Sequence, residues 1–207
     1  GTGTHTGHNP QARATALVRQ DGVWCKTGAL TRLYLGTFFS TATTTTEDSF
    51  VGTHQSGGKR FLWNMYNRVQ RNLGVIDTTD SWTYTTATWR QRNAAVGNLV
   101  QTIVGLAGDI AEATVNASVI SGNTSGVSPG VGIDSTNANS ALINGRGVTN
   151  GTNIDGEFCG FYSGYLSAGY HSLVCLEIST ASGTTTWYGD GGFSYIQTAG
   201  LLAKVLA

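Results

Sequence analysis

Apolar and polar residues alternate with a period of two along most of this chain, which predicts β-strands rather than helices. The clearest alternation covers residues 110–120. One face of that segment carries Ala111, Ala113, Val115, Ala117 and Val119. The opposite face carries Glu112, Thr114, Asn116 and Ser118. This pattern predicts a strand with one buried face and one face in contact with water.

Similar but shorter patterns predict strands at residues 16–20, 23–26, 33–40, 81–91, 98–106, 131–134, 141–143 and 171–179. Asp21-Gly22 is a typical hairpin turn between the first two of these strands. Residues 59–73 fit both helical and strand spacing, and their three Asn residues favour the strand. Residues 121–130, rich in Ser, Gly and Asn, predict a loop. About nine or ten short strands predict a sandwich or a barrel.

The composition supports an all-β chain with few charges. Charged residues make up 12% of the 207 residues, whereas 29 residues are Gly. Residues 1–14 are polar and lack apolar periodicity, which predicts an extended N-terminal arm. Residues 15–207 are then expected to form a single domain.

Charge and cysteine content narrow the range of partners. The formal net charge is zero, so no electrostatic attraction to nucleic acid is expected. No run of 18 apolar residues occurs, and we expect no membrane insertion. The chain has three cysteines, Cys25, Cys159 and Cys175, and no CxxC pair, which argues against a zinc site. The odd number argues against a complete set of disulfides, and reduced cysteines are typical of a protein that folds in the cytoplasm.

Eight segments form a distinctive series along the chain. They are LYLGTF at 33–38, TEDS at 46–49, KRFLWN at 59–64, YNRV at 66–69, DSWTYTTATWRQ at 80–91, GIDS at 132–135, GYHSL at 169–173 and TTTWYGD at 184–190. As a set, they resemble virion structural and tail-fibre proteins of tailed bacteriophages. The likeness runs from Leu33 to Asp190, and the block at 80–91 is its most specific part. Gln70 stands where Pro is expected in such proteins.

The resemblance implies an all-β, jelly-roll-like β-sandwich of the tumour-necrosis-factor and complement type, preceded by a short extended arm. It also implies a homotrimer in the virion that contacts other virion proteins of the fibre shaft, tail or capsid. Two functions follow as alternatives. One is a fibre head or tip that attaches to a host-surface glycan or protein, and the other is a capsid decoration or head-fibre protein with a cementing role.

Candidate catalytic groups are few, and we expect no enzyme activity and no cofactor. Glu112 and Glu177 on facing strands are the most plausible carboxylate pair for a polysaccharide depolymerase, which is the weakest of the functions considered. No GxSxG motif is present, and a Cys159–His171 pair is a remote alternative. His5 and His8 in the arm would bind a metal only if threefold symmetry brought the histidines of three copies together on the symmetry axis.

Aromatic side chains beside Gly, Ser and Asn are better functional candidates. Flat rings next to amide and hydroxyl groups suit contact with sugars or proteins. Trp82 and Trp89 are expected to serve packing. The segment from Trp187 to Gly192 ends a strand and enters a loop, so packing and exposure both stay open there, and exposure is more plausible than for Trp82 and Trp89. The residues expected to bind a receptor are Tyr162, Tyr165, Trp187, Tyr188 and Asp190.

Overall fold

The computed structural model describes residues 15–121, 125–145, 147–149, 154–180, 182–192 and 198–207. The predicted arm at residues 1–14, including His5 and His8, lies outside these residues. Within them the chain forms β-strands and one short 3₁₀ helix at Arg92–Ala94. The first ten strands are β1 Leu17–Gln20, β2 Val23–Lys26, β3 Ala29–Leu33, β4 Gly36–Phe38, β5 Asp48–Ser49, β6 Val51–Thr53, β7 Lys59–Arg60, β8 Leu62–Asn64, β9 Gln70–Asp77 and β10 Ser81–Thr83. The others are β11 Arg90–Gln91, β12 Leu99–Val104, β13 Ile110–Ser121, β14 Ser125–Ile133, β15 Ile143–Asn144, β16 Gly147–Thr149, β17 Ile154–Tyr165, β18 Gly169–Ser179, β19 Thr185–Tyr188 and β20 Ala199–Leu206.

Two large sheets form a jelly-roll-like sandwich, which confirms the predicted all-β fold. The eight-stranded sheet has the order β10-β19-β13-β20-β9-β6, with β17 added to β13 and β15 added to β17. The seven-stranded sheet has the order β16-β14-β18-β12-β7-β5, with β11 added to β18. Pairing is antiparallel except where β6 meets β9 and β7 meets β12.

The main core lies between these sheets, because alternate residues of both point inward. The eight-stranded sheet contributes Leu73, Val75, Ala113, Val115, Leu201 and Ala203, all buried. The seven-stranded sheet contributes Val100, Val131, Leu173 and Cys175, also buried. The alternation predicted for 110–120 is therefore confirmed, because its five apolar residues on one face are all buried.

A second, aromatic core closes one end of the sandwich. Its buried members are Tyr34, Phe61, Trp63, Ile103, Tyr170 and Ala207. The three-stranded sheet β1-β2-β3 and the strand pair β4-β8 pack there through Leu17, Trp24 and Met65. The predicted hairpin is confirmed, because Asp21 and Gly22 have φ values of 49° and 83° between β1 and β2.

Two expectations from the sequence are wrong in ways that the sheets explain. The expected loop at 121–130 ends in strand β14, which pairs with β18 along residues 127–133 despite its Gly and Pro content. The expected continuous strand at 81–91 consists of β10 and β11. β10 joins the eight-stranded sheet and β11 the seven-stranded sheet, so the chain crosses between layers there. The described strands are consequently more numerous than expected.

Candidate functional site

The five residues expected to bind a receptor do not share one face. Four of them lie on strands of the eight-stranded sheet, and Asp190 follows β19. Tyr162 pairs with the buried Ala113 and packs partly buried against the main core. Trp187 pairs with the buried Val119 and is 0% exposed. The structure therefore decides for packing and against exposure of Trp187, because strand β19 turns its indole between the sheets.

The other three residues reach the surface but do not form one cluster. Tyr165 is 70% exposed and pairs with Ile110 at the start of β13. Tyr188 is half-buried and pairs with Ser118 of the same strand. Eight residues of strand separate these pairings, a span of about 27 Å. Asp190 is half-buried, and its carboxylate accepts the N–H of Gly192 at 3.1 Å.

A row of apolar side chains crosses the outer face of the eight-stranded sheet, the face turned away from the main core. Strand register places Ile143 beside Phe161, and Phe161 beside Thr114. Thr114 lies beside Leu202, which lies beside Gly74, and Gly74 lies beside Val51. We name Ile143, Phe161, Leu202 and Val51 the apolar row. Ile143 is 67% exposed and Leu202 is 61% exposed.

Gly74 lets two members of the apolar row, Leu202 and Val51, approach each other at one end of the row. A Cβ atom at Gly74 would lie 3.0 Å from Leu202 Cδ2 and 3.3 Å from Val51 Cγ2. The two side chains therefore close over the glycine from both neighbouring strands. Exposed apolar surface of this kind marks contact sites for other proteins more often than isolated exposed residues do.

Polar and apolar rows alternate along this face. The row next to the apolar row contains Glu112, with Ser163 on one side and Lys204 on the other. One acidic and one basic residue stand in adjacent strands, so this row carries no net charge. Beyond it, Ile110 and Tyr165 form a further exposed apolar pair. The face is thus largely uncharged, which favours contact with another neutral surface.

A buried ionic cluster links the two sheets near β10 and β11. The Glu177 carboxylate, 0% exposed, accepts hydrogen bonds from Arg90 Nε at 2.7 Å, Trp82 Nε1 at 2.8 Å and the Asn93 backbone N–H at 3.1 Å. Burial raises the pKa of Glu177, whereas Arg90 and the Trp82 hydrogen bond oppose that shift. Arg92 lies above the Trp82 ring at 5.1 Å and donates to the carbonyls of Asn116 and Tyr188.

The cluster continues through Asp77 and two asparagines. Asn98 Nδ2 donates to the buried Asp77 carboxylate at 2.7 Å and to the Arg92 carbonyl at 3.0 Å. Asn93 has a left-handed φ of 55° and donates from its side chain to Thr79 Oγ1 at 2.8 Å. Because every carboxylate here is held by protein donors, the cluster ties β9, β18 and the 3₁₀ helix together rather than presenting reactive groups.

His171 and Asp134 form a second polar pair, which joins the GYHSL and GIDS segments. His171 Nδ1 donates to Asp134 Oδ2 at 2.7 Å, and its Nε2 donates to the Ser167 carbonyl at 2.8 Å. Burial disfavours the imidazolium, but the hydrogen bonds to Asp134 and Ser167 outweigh it and raise the pKa of His171. An imidazole with both nitrogens donating lacks the lone pair that a general base needs.

Asp134 also contributes to the raised pKa values of Tyr162 and Tyr170. Burial, followed by the negative charge of Asp134, raises the pKa of Tyr170 to about 12 and raises the pKa of Tyr162 as well. Both phenols therefore stay neutral across the physiological range. They act as packing and hydrogen-bonding groups rather than as acids.

The other candidate pairs do not assemble among the described residues. Glu177 belongs to the seven-stranded sheet and is held by Arg90 and Trp82, whereas Glu112 lies on the outer face of the other sheet. Cys159 Sγ lies 3.7 Å from Asn116 Oδ1, whereas His171 contacts Asp134 and Ser167. In the described part of the chain no group of three His, Cys, Asp or Glu side chains could hold a metal. No helix there is long and apolar enough to span a membrane.

The apolar row was missed from sequence because its members come from four strands far apart in the chain. The sequence contains one sign of the buried cluster, since Glu177 interrupts the apolar run at 173–178. A charged residue inside such a strand indicates a paired, buried charge. The sequence could therefore have pointed to Glu177, but it could not have named Arg90 or Trp82 as its partners.

Comparisons with known proteins give structural matches of low similarity to this chain. No protein-family model and no curated protein matches it. A solved structure of Eiger TNF from S. frugiperda shares a TM-score of 0.40 and 11% identity, over 68% of this chain and 92% of that one. Dimeric latent PorU from Porphyromonas gingivalis shares a TM-score of 0.35 and 8% identity, over 93% of this chain and 19% of that one.

Proposed function

We propose that this chain is a structural and binding module of a tailed-bacteriophage particle, a homotrimeric fibre head that contributes to attachment at the host surface. The likeness of the segments between Leu33 and Asp190 to virion proteins supports the phage origin. The main observation behind the proposal is the apolar row on the outer face of the eight-stranded sheet. An exposed, uncharged apolar surface of this kind favours contact between copies of the chain.

The occupant proposed for this face is a second copy of the chain. The chain has a formal net charge of zero, so copies do not repel one another through their overall charge. The row containing Glu112 and Lys204 presents both signs of charge at the border of the apolar row. In a threefold ring the apolar row contacts a different surface of the neighbouring copy, and charges of both signs at its border fix the register of that contact.

Analytical ultracentrifugation of the full chain tests the assembly. We expect a species with three times the 21.7 kDa mass of the chain. Leu202→Glu places a charge in the apolar row and is expected to release monomers. Leu30→Glu, at a residue 50% exposed on the separate three-stranded sheet, is the matched control and is expected to leave the trimer intact.

A monomeric wild-type chain would overturn the trimer. A Leu202→Glu variant that stays trimeric would overturn the choice of face.

Electron cryo-microscopy of the particle tests the attachment role. Chains at the distal ends of fibres support it, whereas chains fixed at capsid symmetry axes would replace it with capsid decoration.

A further inference from the structure

A cavity of about 320 Å³ opens at the edge of the sandwich where the two large sheets end. It is lined by Asp48, Phe50, Gln70, Arg71, Asn72 and Leu73. Asp48 belongs to β5, the last strand of the seven-stranded sheet, and residues 70–73 belong to β9. The volume lies at the lower end of the range of about 300–1,000 Å³ that is typical of small-molecule sites.

The backbone of β9 contributes hydrogen-bonding groups to this edge. Gly74 donates its N–H to the Phe50 carbonyl at 2.8 Å, so its polar groups point away from β20. Alternate residues of a strand share that direction, and Asn72 and Gln70 therefore point the same way. Strand β6 pairs with β9 only from Gly74 onward. No described strand pairs with Gln70 and Asn72 on this side.

The side chains add an aromatic surface and an excess of positive charge. Phe50 is 59% exposed. Asp48 accepts a hydrogen bond from the buried Arg60, which neutralises its carboxylate. Arg71 forms no ion pair with any described residue. One guanidinium at the cavity is thus without a counter-charge.

We propose that this cavity binds an acidic sugar unit, such as a hexuronate, of a surface glycan. Arg71 binds the carboxylate, because a guanidinium matches the geometry of a carboxylate. Phe50 contacts the apolar face of the sugar ring, and the backbone N–H and C=O groups of Gln70 and Asn72 form hydrogen bonds with the sugar hydroxyls. The inference deepens the proposed attachment function and rests on it for its biological meaning.

An extended peptide fits the same edge less well. Recognition by strand addition uses a continuous row of backbone groups. Here the open edge runs only from Gln70 to Leu73, because β6 covers the following residues. A compact ligand with hydroxyls and one negative charge matches the short edge, the ring of Phe50 and the uncompensated Arg71.

Isothermal titration of the full chain with methyl β-D-glucuronide and methyl β-D-glucoside tests the proposal. These probes differ only at C6, which is a carboxylate in the glucuronide and a hydroxymethyl group in the glucoside. We expect saturable binding of the glucuronide, about tenfold tighter than the glucoside, as a charge-assisted hydrogen bond implies. Arg71→Gln is expected to abolish this preference. Phe50→Ala is expected to weaken binding of both probes.

Matched controls are Arg32→Gln and Phe38→Ala, which remove an exposed arginine and an exposed phenylalanine away from the cavity. Both are expected to bind like the wild type. Equal affinity for the two probes, absence of saturable binding, or an Arg71→Gln variant that keeps the preference would each overturn the proposal. Binding of an extended peptide in place of the glucuronide would overturn it in favour of strand addition.

The experiments can disprove glucuronide binding at the cavity and the proposed attachment function independently of each other. Absence of glucuronide binding, with trimers found at fibre tips, would remove the cavity assignment and leave the attachment role. Glucuronide binding by a chain found at capsid axes would confirm the site and remove the attachment role.

Discussion

The indole N–H of Trp82 donates to the carboxylate of Glu177 at 2.8 Å, although 95 residues separate the two in the chain. The bond connects the segment at 80–91 to strand β18 of the seven-stranded sheet. Trp82 itself lies on β10 of the other sheet. One buried carboxylate therefore joins both layers of the sandwich.

Replacement of Glu177 by Ala is expected to lower the free energy of unfolding by about 3–5 kcal/mol. The loss follows because Arg90 and the buried Arg92 would remain without the carboxylate that compensates them. Urea unfolding measures the effect. Glu157→Ala is the control and should cost less than about 1 kcal/mol, because Glu157 is exposed and lies outside both the buried cluster and the Glu112–Lys204 row. Equal losses in both variants would contradict this account of the cluster.

The His171–Asp134 pair predicts a pH dependence of stability. The pKa of His171 is raised in the folded chain above its usual value of 6.5. Its contribution is therefore fully present below pH 6.5 and is lost as pH rises through the raised pKa. The stability advantage of wild type over His171→Gln should be larger at about pH 5.5 than at about pH 8.5.

Thermal unfolding at the two pH values measures this difference. Asp134→Asn should reduce the pH dependence of the chain that keeps His171, because it removes the charge that favours the imidazolium. An advantage that grows with rising pH would show that His171 is neutral in the folded chain.

Gly105 and Gly74 should differ in how much an added methyl group destabilises the chain. A Cβ at Gly105 would lie 2.1 Å from the ring of Trp63, which is fully buried and cannot move aside. Gly105→Ala should destabilise the chain by about 1–3 kcal/mol. At Gly74 the added methyl meets only the ends of Leu202 and Val51 on the outer face, and Gly74→Ala should stay within about 1 kcal/mol of wild type. Urea unfolding of both variants gives the comparison.

The three cysteines should differ in reactivity toward a thiol reagent. Cys25 and Cys175 are buried, and burial raises the pKa of Cys175 to about 11, whereas Cys159 is exposed. We expect one fast-reacting thiol per folded monomer and none in Cys159→Ser. All three should react after unfolding. Fast reaction of two thiols in the folded chain would contradict the burial of Cys25 or Cys175.

The same measurement bears on the subunit contact. Cys159 lies on the outer face of β17, two residues before Phe161 of the apolar row. If copies cover this face, the wild-type thiol should react more slowly than the thiol of the Leu202→Glu monomer.

Local patterns in the sequence were enough to predict the all-β class, the Asp21-Gly22 hairpin and the buried face of β13. Each of these depends on residues that are close in the chain, where side-chain alternation and turn preferences act directly. The tertiary structure decided the rest. Pairing with β18 made a strand of the Gly- and Pro-containing β14, and pairing with β13 buried Trp187. The apolar row and the partners of Glu177 exist only through strand register, which brings Val51, Leu202 and Phe161 together from distant segments because a sheet aligns strands regardless of their separation in sequence.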